Sequence, residues 1–115
     1  MRKYYFFLFI LLSTPFYLVA QTVELVTGLA NPREMYLINN ELYICELFKI
    51  SKIDVTATTP TPTNVVTGLL LPESIAQIGN NLYFTEYEGD KISKIDITTA
   101  TPTATNVVTG LYGPS

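Results

Sequence analysis

Histidine and tryptophan are both missing from the 115 residues of this chain, and cysteine occurs once. The lack of histidine removes the commonest general base, catalytic-triad member and metal ligand. A single cysteine, Cys45, excludes an intramolecular disulfide; flanked by Ile44 and Glu46, it reads as a buried, inert thiol, with intermolecular pairing as the alternative. Cations are scarce as well. Seven Lys/Arg face ten Asp/Glu, a formal charge of −3 with no basic stripe, which argues against a nucleic-acid partner. There is no phosphate-cradling glycine loop, no Gly-x-Ser-x-Gly elbow and no Asn-x-Ser/Thr glycosylation acceptor.

Long apolar runs are also absent beyond the first 20 residues, so nothing later in the chain is suited to crossing a bilayer as a helix. Residues 1–20 themselves read as a secretory signal helix. Arg2 and Lys3 supply the basic start, Tyr4 to Leu12 is unbroken apolar sequence, and Ser13-Thr14-Pro15 then interrupts the helix. Cleavage is expected after Ala20, with an uncleaved anchor as the alternative, which places the chain outside the cytoplasm as a secreted or periplasmic protein with no membrane attachment after cleavage. Removing Arg2 and Lys3 with the leader moves the formal charge from −3 to −5.

What is present is repetition. Val26-Thr27-Gly28-Leu29 returns as Val66-Thr67-Gly68-Leu69 and as Val108-Thr109-Gly110-Leu111, each followed by a proline (Pro32, Pro72, Pro114). Aligning 26–56 on 66–98 with a two-residue gap after Phe48 gives 17 identities in 31 positions. The glycines are 40 and 42 residues apart, a period that marks one supersecondary unit stacked on its neighbours. The repeats run over about 23–63, 64–105 and 106–115, within a domain spanning 21–115. The third repeat has only begun at Ser115 and no polar capping unit follows, so the chain reads as a piece of a longer protein, or as one that completes itself by self-association.

Each unit reads as four short strands: Met35–Ile38, Leu42–Glu46, Lys49–Val55 and Asn64–Thr67, then Ile75–Ile78, Leu82–Tyr87, Lys91–Ile97 and Asn106–Thr109. Val, Ile, Thr and Tyr dominate these runs, and Asn39-Asn40 and Gly79-Asn80-Asn81 supply hairpin turns that tolerate positive φ. The two-residue length difference falls at the second hairpin. The Thr/Pro-rich stretches 56–63 and 98–105 occupy the same slot in both units and read as exposed inter-strand loops stiffened by proline.

Pro-x-x-Ile/Met, Asn-x-Leu-Tyr-x-x-Glu and Lys-Ile-x-Lys-Ile-Asp together resemble the NHL-type repeat and the related six-bladed propellers, the gluconolactonase-like and low-density-lipoprotein-receptor-type propellers among them. The resemblance covers nearly all of 23–115. It departs from the NHL pattern at Glu34 and Ser74, where glycine is usual, at Glu46 and Glu86, which replace aspartate, and at Ile53 and Ile95, which replace an aromatic residue. The tryptophan–aspartate repeat is no match. The fold class expected from the resemblance is all-β: β-propeller-type blades of four antiparallel strands, in an incomplete ring of about two blades and the start of a third. Two blades alone leave apolar side chains facing water, each costing about 1.5–3 kcal/mol relative to burial, so the isolated chain is expected to be marginal or self-associating.

Carboxylates and amides are what remain for chemistry. Glu46 and Glu86 occupy equivalent positions and are candidate ligands for a hard cation such as calcium; alternatively they accept hydrogen bonds from loop amides, or pair with a hairpin lysine, as Glu86 with Lys91. Arg33, Glu34, Glu73 and Ser74 lie where the first strand of each unit begins, which in a propeller is the mouth of the central channel, and are candidate ligand-binding residues; alternatively they are solvated loop residues at a strand start. Asp54 and Asp96 end the third strands and are expected to bond the turns that follow. No catalytic residue is singled out and no cofactor is required. The leading expectation is a non-catalytic binding or scaffold module for a protein, glycan or small-molecule ligand, completed by further blades or by its own copies. The alternative is a fragment of a metal-dependent gluconolactonase-like hydrolase.

Overall fold

The computed structural model describes residues 22–115; the expected signal helix lies outside the described residues. Eight strands follow one another: β1 (Glu34–Ile38), β2 (Glu41–Cys45), β3 (Lys49–Asp54), β4 (Thr63–Thr67), β5 (Pro72–Ile78), β6 (Asn81–Glu86), β7 (Lys91–Asp96) and β8 (Thr105–Val108). They form two antiparallel four-stranded sheets, each a meander in chain order, β1-β2-β3-β4 and β5-β6-β7-β8. The described residues contain no helix.

The first hairpins turn on two residues, with Ile38 opposite Glu41 and Ile78 opposite Asn81. Their leading residues, Asn39 and Gly79, take φ of 54° and 59°, conformations that asparagine and glycine tolerate. The second hairpins differ. In the first sheet the Glu46 amide bonds the Lys49 carbonyl at 2.8 Å and closes on Leu47-Phe48. In the second sheet Glu86 is opposite Lys91 and four residues bridge them. The two-residue insertion is thus absorbed in a turn, and the ladders on either side keep the same register.

Both fourth strands carry the same irregularity. Ile50 is opposite Val66 while Ser51 is opposite Asn64, and Ile92 is opposite Val108 while Ser93 is opposite Asn106. Val65 and Val107 are the extra residues of these bulges, which is why two valines stand side by side in a ladder that otherwise alternates. The strands end within one or two residues of their expected limits with one exception: β5 begins at Pro72, opposite Glu86, and its register then slips before Ile75. Proline donates no ladder bond, and the first residue of an edge strand is a position where none is needed.

Strand pairing puts Tyr36, Ile38, Tyr43, Cys45 and Ile50 on one face of the first sheet, and Ile75, Leu82, Phe84 and Ile95 on one face of the second. These two faces pack against each other. Tyr43, Cys45, Ile50, Val66 and Leu69 form one buried cluster with Leu82, Phe84 and Ile95. The sheets come closest where β5 crosses β1 and β2. The two faces are not equivalent: Phe84 aligns with Ile44, which looks away from the junction, and Tyr43 aligns with Tyr83, which also looks away. The face that receives in one unit is therefore opposite to the face that inserts in the next, as stacking of a repeated unit demands.

The Thr/Pro loops are less detached than their composition implies. Most of their residues are exposed, but Pro102 and Ala104 are half-buried, and Ala104 packs on the cluster that contains Val66 and Leu69. The loop of the second sheet thus reaches back over the fourth strand of the first.

Candidate functional site

Glu46 and Glu86 are almost completely buried. A carboxylate taken out of water is costly unless hydrogen bonds replace its hydration. Glu86 accepts the Leu70 amide at 2.9 Å on Oε1 and the Ser93 hydroxyl at 2.5 Å on Oε2, with Lys91 Nζ 3.6 Å from Oε2. Glu46 accepts the Ala30 amide at 2.7 Å on Oε1 and the Ser51 hydroxyl on Oε2. Among the described residues, no cation lies within ion-pair distance of Glu46.

The same three-part arrangement therefore occurs twice: a glutamate at the end of the second strand, a serine at the bulge of the third, and the amide two residues before the proline. It ties the segment arriving from the preceding unit to the second hairpin of its own sheet. The expected loop-amide bonds and the Glu86–Lys91 pair are both present. No group of three or more His, Cys, Asp or Glu side chains is placed to hold a metal among the described residues.

Around the left-handed turns beside these glutamates the backbone also repeats. Gly28, Gly68 and Gly110 have φ of 79°, 74° and 73°, and Asn31, Leu71 and Gly113, each just before its proline, have φ of 49°, 58° and 53°. Leu71 holds this strained conformation while buried; its carbonyl accepts the Tyr87 amide at 2.9 Å.

The four residues expected at the channel mouth separate into a pair and two single positions. Arg33 Nη1 and Glu73 Oε1 lie 3.0 Å apart and join the two sheets across the junction. Glu34 is exposed and accepts its neighbour Met35's amide at 3.0 Å. Ser74 donates its backbone amide to Thr85 Oγ1 at 3.1 Å. Cys45, opposite Glu34 in the ladder, is fully buried. Burial, reinforced by the Glu34 and Glu73 carboxylates, pushes its thiol up to about 12 from an ordinary 9.0, so it is a neutral packing group.

Asp54 and Asp96 bond the turns after their strands as expected. Each accepts the hydroxyl of the threonine two residues on at 2.6 Å and that residue's amide at 2.8 and 2.9 Å. Those donors, the hydroxyl foremost, hold both carboxyls below the usual range. Sequence reasoning missed Ser51 and Ser93 as partners of the buried glutamates. The signal was the recurrence of serine in the middle of Lys-Ile-Ser-Lys-Ile-Asp. It also missed the bridge from Lys52 to Glu41 at 2.6 Å, whose hydrogen bond raises the Lys52 ammonium above its ordinary value. No second copy of that pair exists, because Asn81 replaces Glu41.

The chain matches no family model, and no curated protein is significantly similar to it.

Proposed function

We propose that this chain is an exported β-propeller-type scaffold module of stacked units, and that its role is to bind rather than to transform a ligand. The observation that carries the reading is the directed stacking of two equivalent sheets, one receiving face against one inserting face, which leaves the opposite faces in need of further units. The buried glutamates support a scaffold role. Each carboxylate oxygen already accepts an internal donor, an arrangement that fastens one unit to the next. The leader-like residues 1–20 support export.

Two measurements test the reading. N-terminal sequencing of the protein recovered outside the cytoplasm should start at Gln21; recovery only inside the cell with Met1 or Arg2 intact contradicts export. Thermal melting with and without calcium should coincide. A calcium-dependent rise that disappears in Glu46→Gln or Glu86→Gln, together with lactone hydrolysis, would instead establish the metal-dependent hydrolase reading.

A further inference from the structure

The junction between the two sheets is a template for a second junction. The face of the second sheet that looks away corresponds to the receiving face of the first: Ala76, Ile78, Tyr83, Thr85 and Ile92 stand where Tyr36, Ile38, Tyr43, Cys45 and Ile50 stand, with Ile78, Tyr83 and Ile92 keeping the residue of the first unit. Ile78 is 67% exposed, whereas Ile38 is partly buried in the observed junction. The outward face of the first sheet repeats the inserting face of the second. Met35, Leu37 and Ile44 occupy the positions of Ile75, Gln77 and Phe84, and Met35 and Leu37 are 63% and 58% exposed. An open hollow of about 500 Å³ on that face is lined by Leu29, Pro32, Met35 and the buried Ile44, together with Leu25 and Val26 of the segment that yields on docking. One unit on, Leu69 and Phe84 hold the places of Leu29 and Ile44 and are packed against Cys45 and Ile50.

From this correspondence we infer that copies of the chain dock head to tail, the Ala76/Ile78/Tyr83 face of one copy receiving the Met35/Leu37 face of the next. The charges agree with the shapes. In the observed junction the position after the proline carries Arg33 in the first unit and Glu73 in the second, 3.0 Å apart. A second copy stacked in the same sense brings its Arg33 to the Glu73 of the first. Arginine and glutamate then alternate along the stack, and no like pair meets. Had both positions carried one sign, the same stacking would set like charges side by side.

Two segments must yield. Residues 22–27 of the arriving copy correspond to 104–109 of the receiving copy, and 28–33 correspond to 110–115. β8 is held by its ladder to β7, whereas 22–27 pairs with no strand, so 22–27 gives way. Residues 110–115 are held on their own sheet by Asp90, whose carbonyl and carboxylate accept the Leu111 and Gly113 amides, each at 2.9 Å. They give way to 28–33, which keep the Ala30–Glu46 bond. The inference deepens the stacked-scaffold reading and rests on its stacking sense, but it does not require a closed ring.

Because the two surfaces differ, the contact is heterologous, and this makes it testable by mixing. The purified chain, as the producing cell leaves it, is compared with Ile78→Lys and Leu37→Lys by light scattering after gel filtration. Both sites are exposed in the single chain, so circular dichroism and melting of each variant at low concentration should match the wild type. The wild type should run as a multiple of the single-chain mass, and each variant alone at the single-chain mass. An equimolar mixture of the two variants should recover a species of twice that mass, because one intact junction can form. A monomeric wild type, variants that associate like the wild type, or a mixture that stays monomeric overturns the inference. A monomeric wild type leaves the scaffold reading to its own calcium and export tests.

Discussion

The two sheets share most of their sequence and all of their topology, yet the same positions meet different surroundings. Val66 is 7% exposed and Val108, its counterpart, 39%. Ile50 is fully buried, while Ile92 is only partly so. Leu82 is sealed, whereas its counterpart Leu42 is only partly buried, and Ile75 is partly buried where its counterpart Met35 is open to solvent. The difference lies in neighbours: each unit builds its own ladders and turns, but part of its core belongs to the unit beside it.

The largest expected effect contrasts paired truncations. Ile50→Ala removes a buried side chain from the junction and should cost about 2–5 kcal/mol, whereas Ile92→Ala should cost about 1 kcal/mol, both read from urea denaturation of dilute protein. Equal losses would mean that the junction contributes nothing beyond each sheet alone. Next come the buried carboxylates. Glu86→Ala strands the Ser93 hydroxyl and the Leu70 amide and should cost about 2–3 kcal/mol; Glu86→Gln keeps an acceptor there and should cost about 1 kcal/mol. Glu46, bonded in the same way but without the Lys91 ammonium, should show the same order. A full loss in the Gln variant would point to the charge, rather than the hydrogen bonds, as the fastening element.

Why were the strands legible and the junction not? Each ladder is encoded locally, by β-branched residues, Asn/Gly turns and a repeat that shows which residues are equivalent. The two-residue insertion within 87–90 falls in a hairpin because the flanking motifs, Leu-Tyr-x-x-Glu and Lys-Ile-Ser-Lys-Ile-Asp, are unbroken in both copies. Face pairing is not local. Tyr43 and Tyr83 are the same residue in the same motif, and only the presence of a neighbouring sheet makes one core and leaves the other half-buried. The bulges at Val65 and Val107 were hidden for a related reason: two adjacent valines read equally well as strand residues covered on both faces. Glu46 and Glu86 stood out by recurrence, but their serine partners, five and seven residues on, required the bulge to be seen first.

A smaller effect concerns the thiol. With its pKa raised from 9.0 to about 12, Cys45 favours the fold while both states are neutral, and that contribution is lost as pH rises from 9 towards 12. A thiol reagent at neutral pH should therefore label Cys45 only as the protein unfolds, whereas Thr85→Cys, at the equivalent half-exposed position, should react in the native state in dilute solution. Rapid native labelling of Cys45 would contradict burial at the junction. Smallest of all are the exposed groups. Arg33→Ala should cost at most about 1 kcal/mol. Asp54 and Asp96, whose carboxyls are held low, support the fold above the ordinary carboxylate range and cease to as pH falls through their lowered values, so Asp96→Ala should slightly flatten the acid side of the stability profile.

Side-chain proton–proton contacts by NMR, in dilute protein, test the stacking most directly. Tyr43, Cys45 and Ile50 should show contacts to Leu82, Phe84 and Ile95, and Tyr83 should show none to the first sheet. Contacts from Tyr83 or Ile92 to residues of the first sheet, with Phe84 free of them, would contradict the directed packing of one unit on the next.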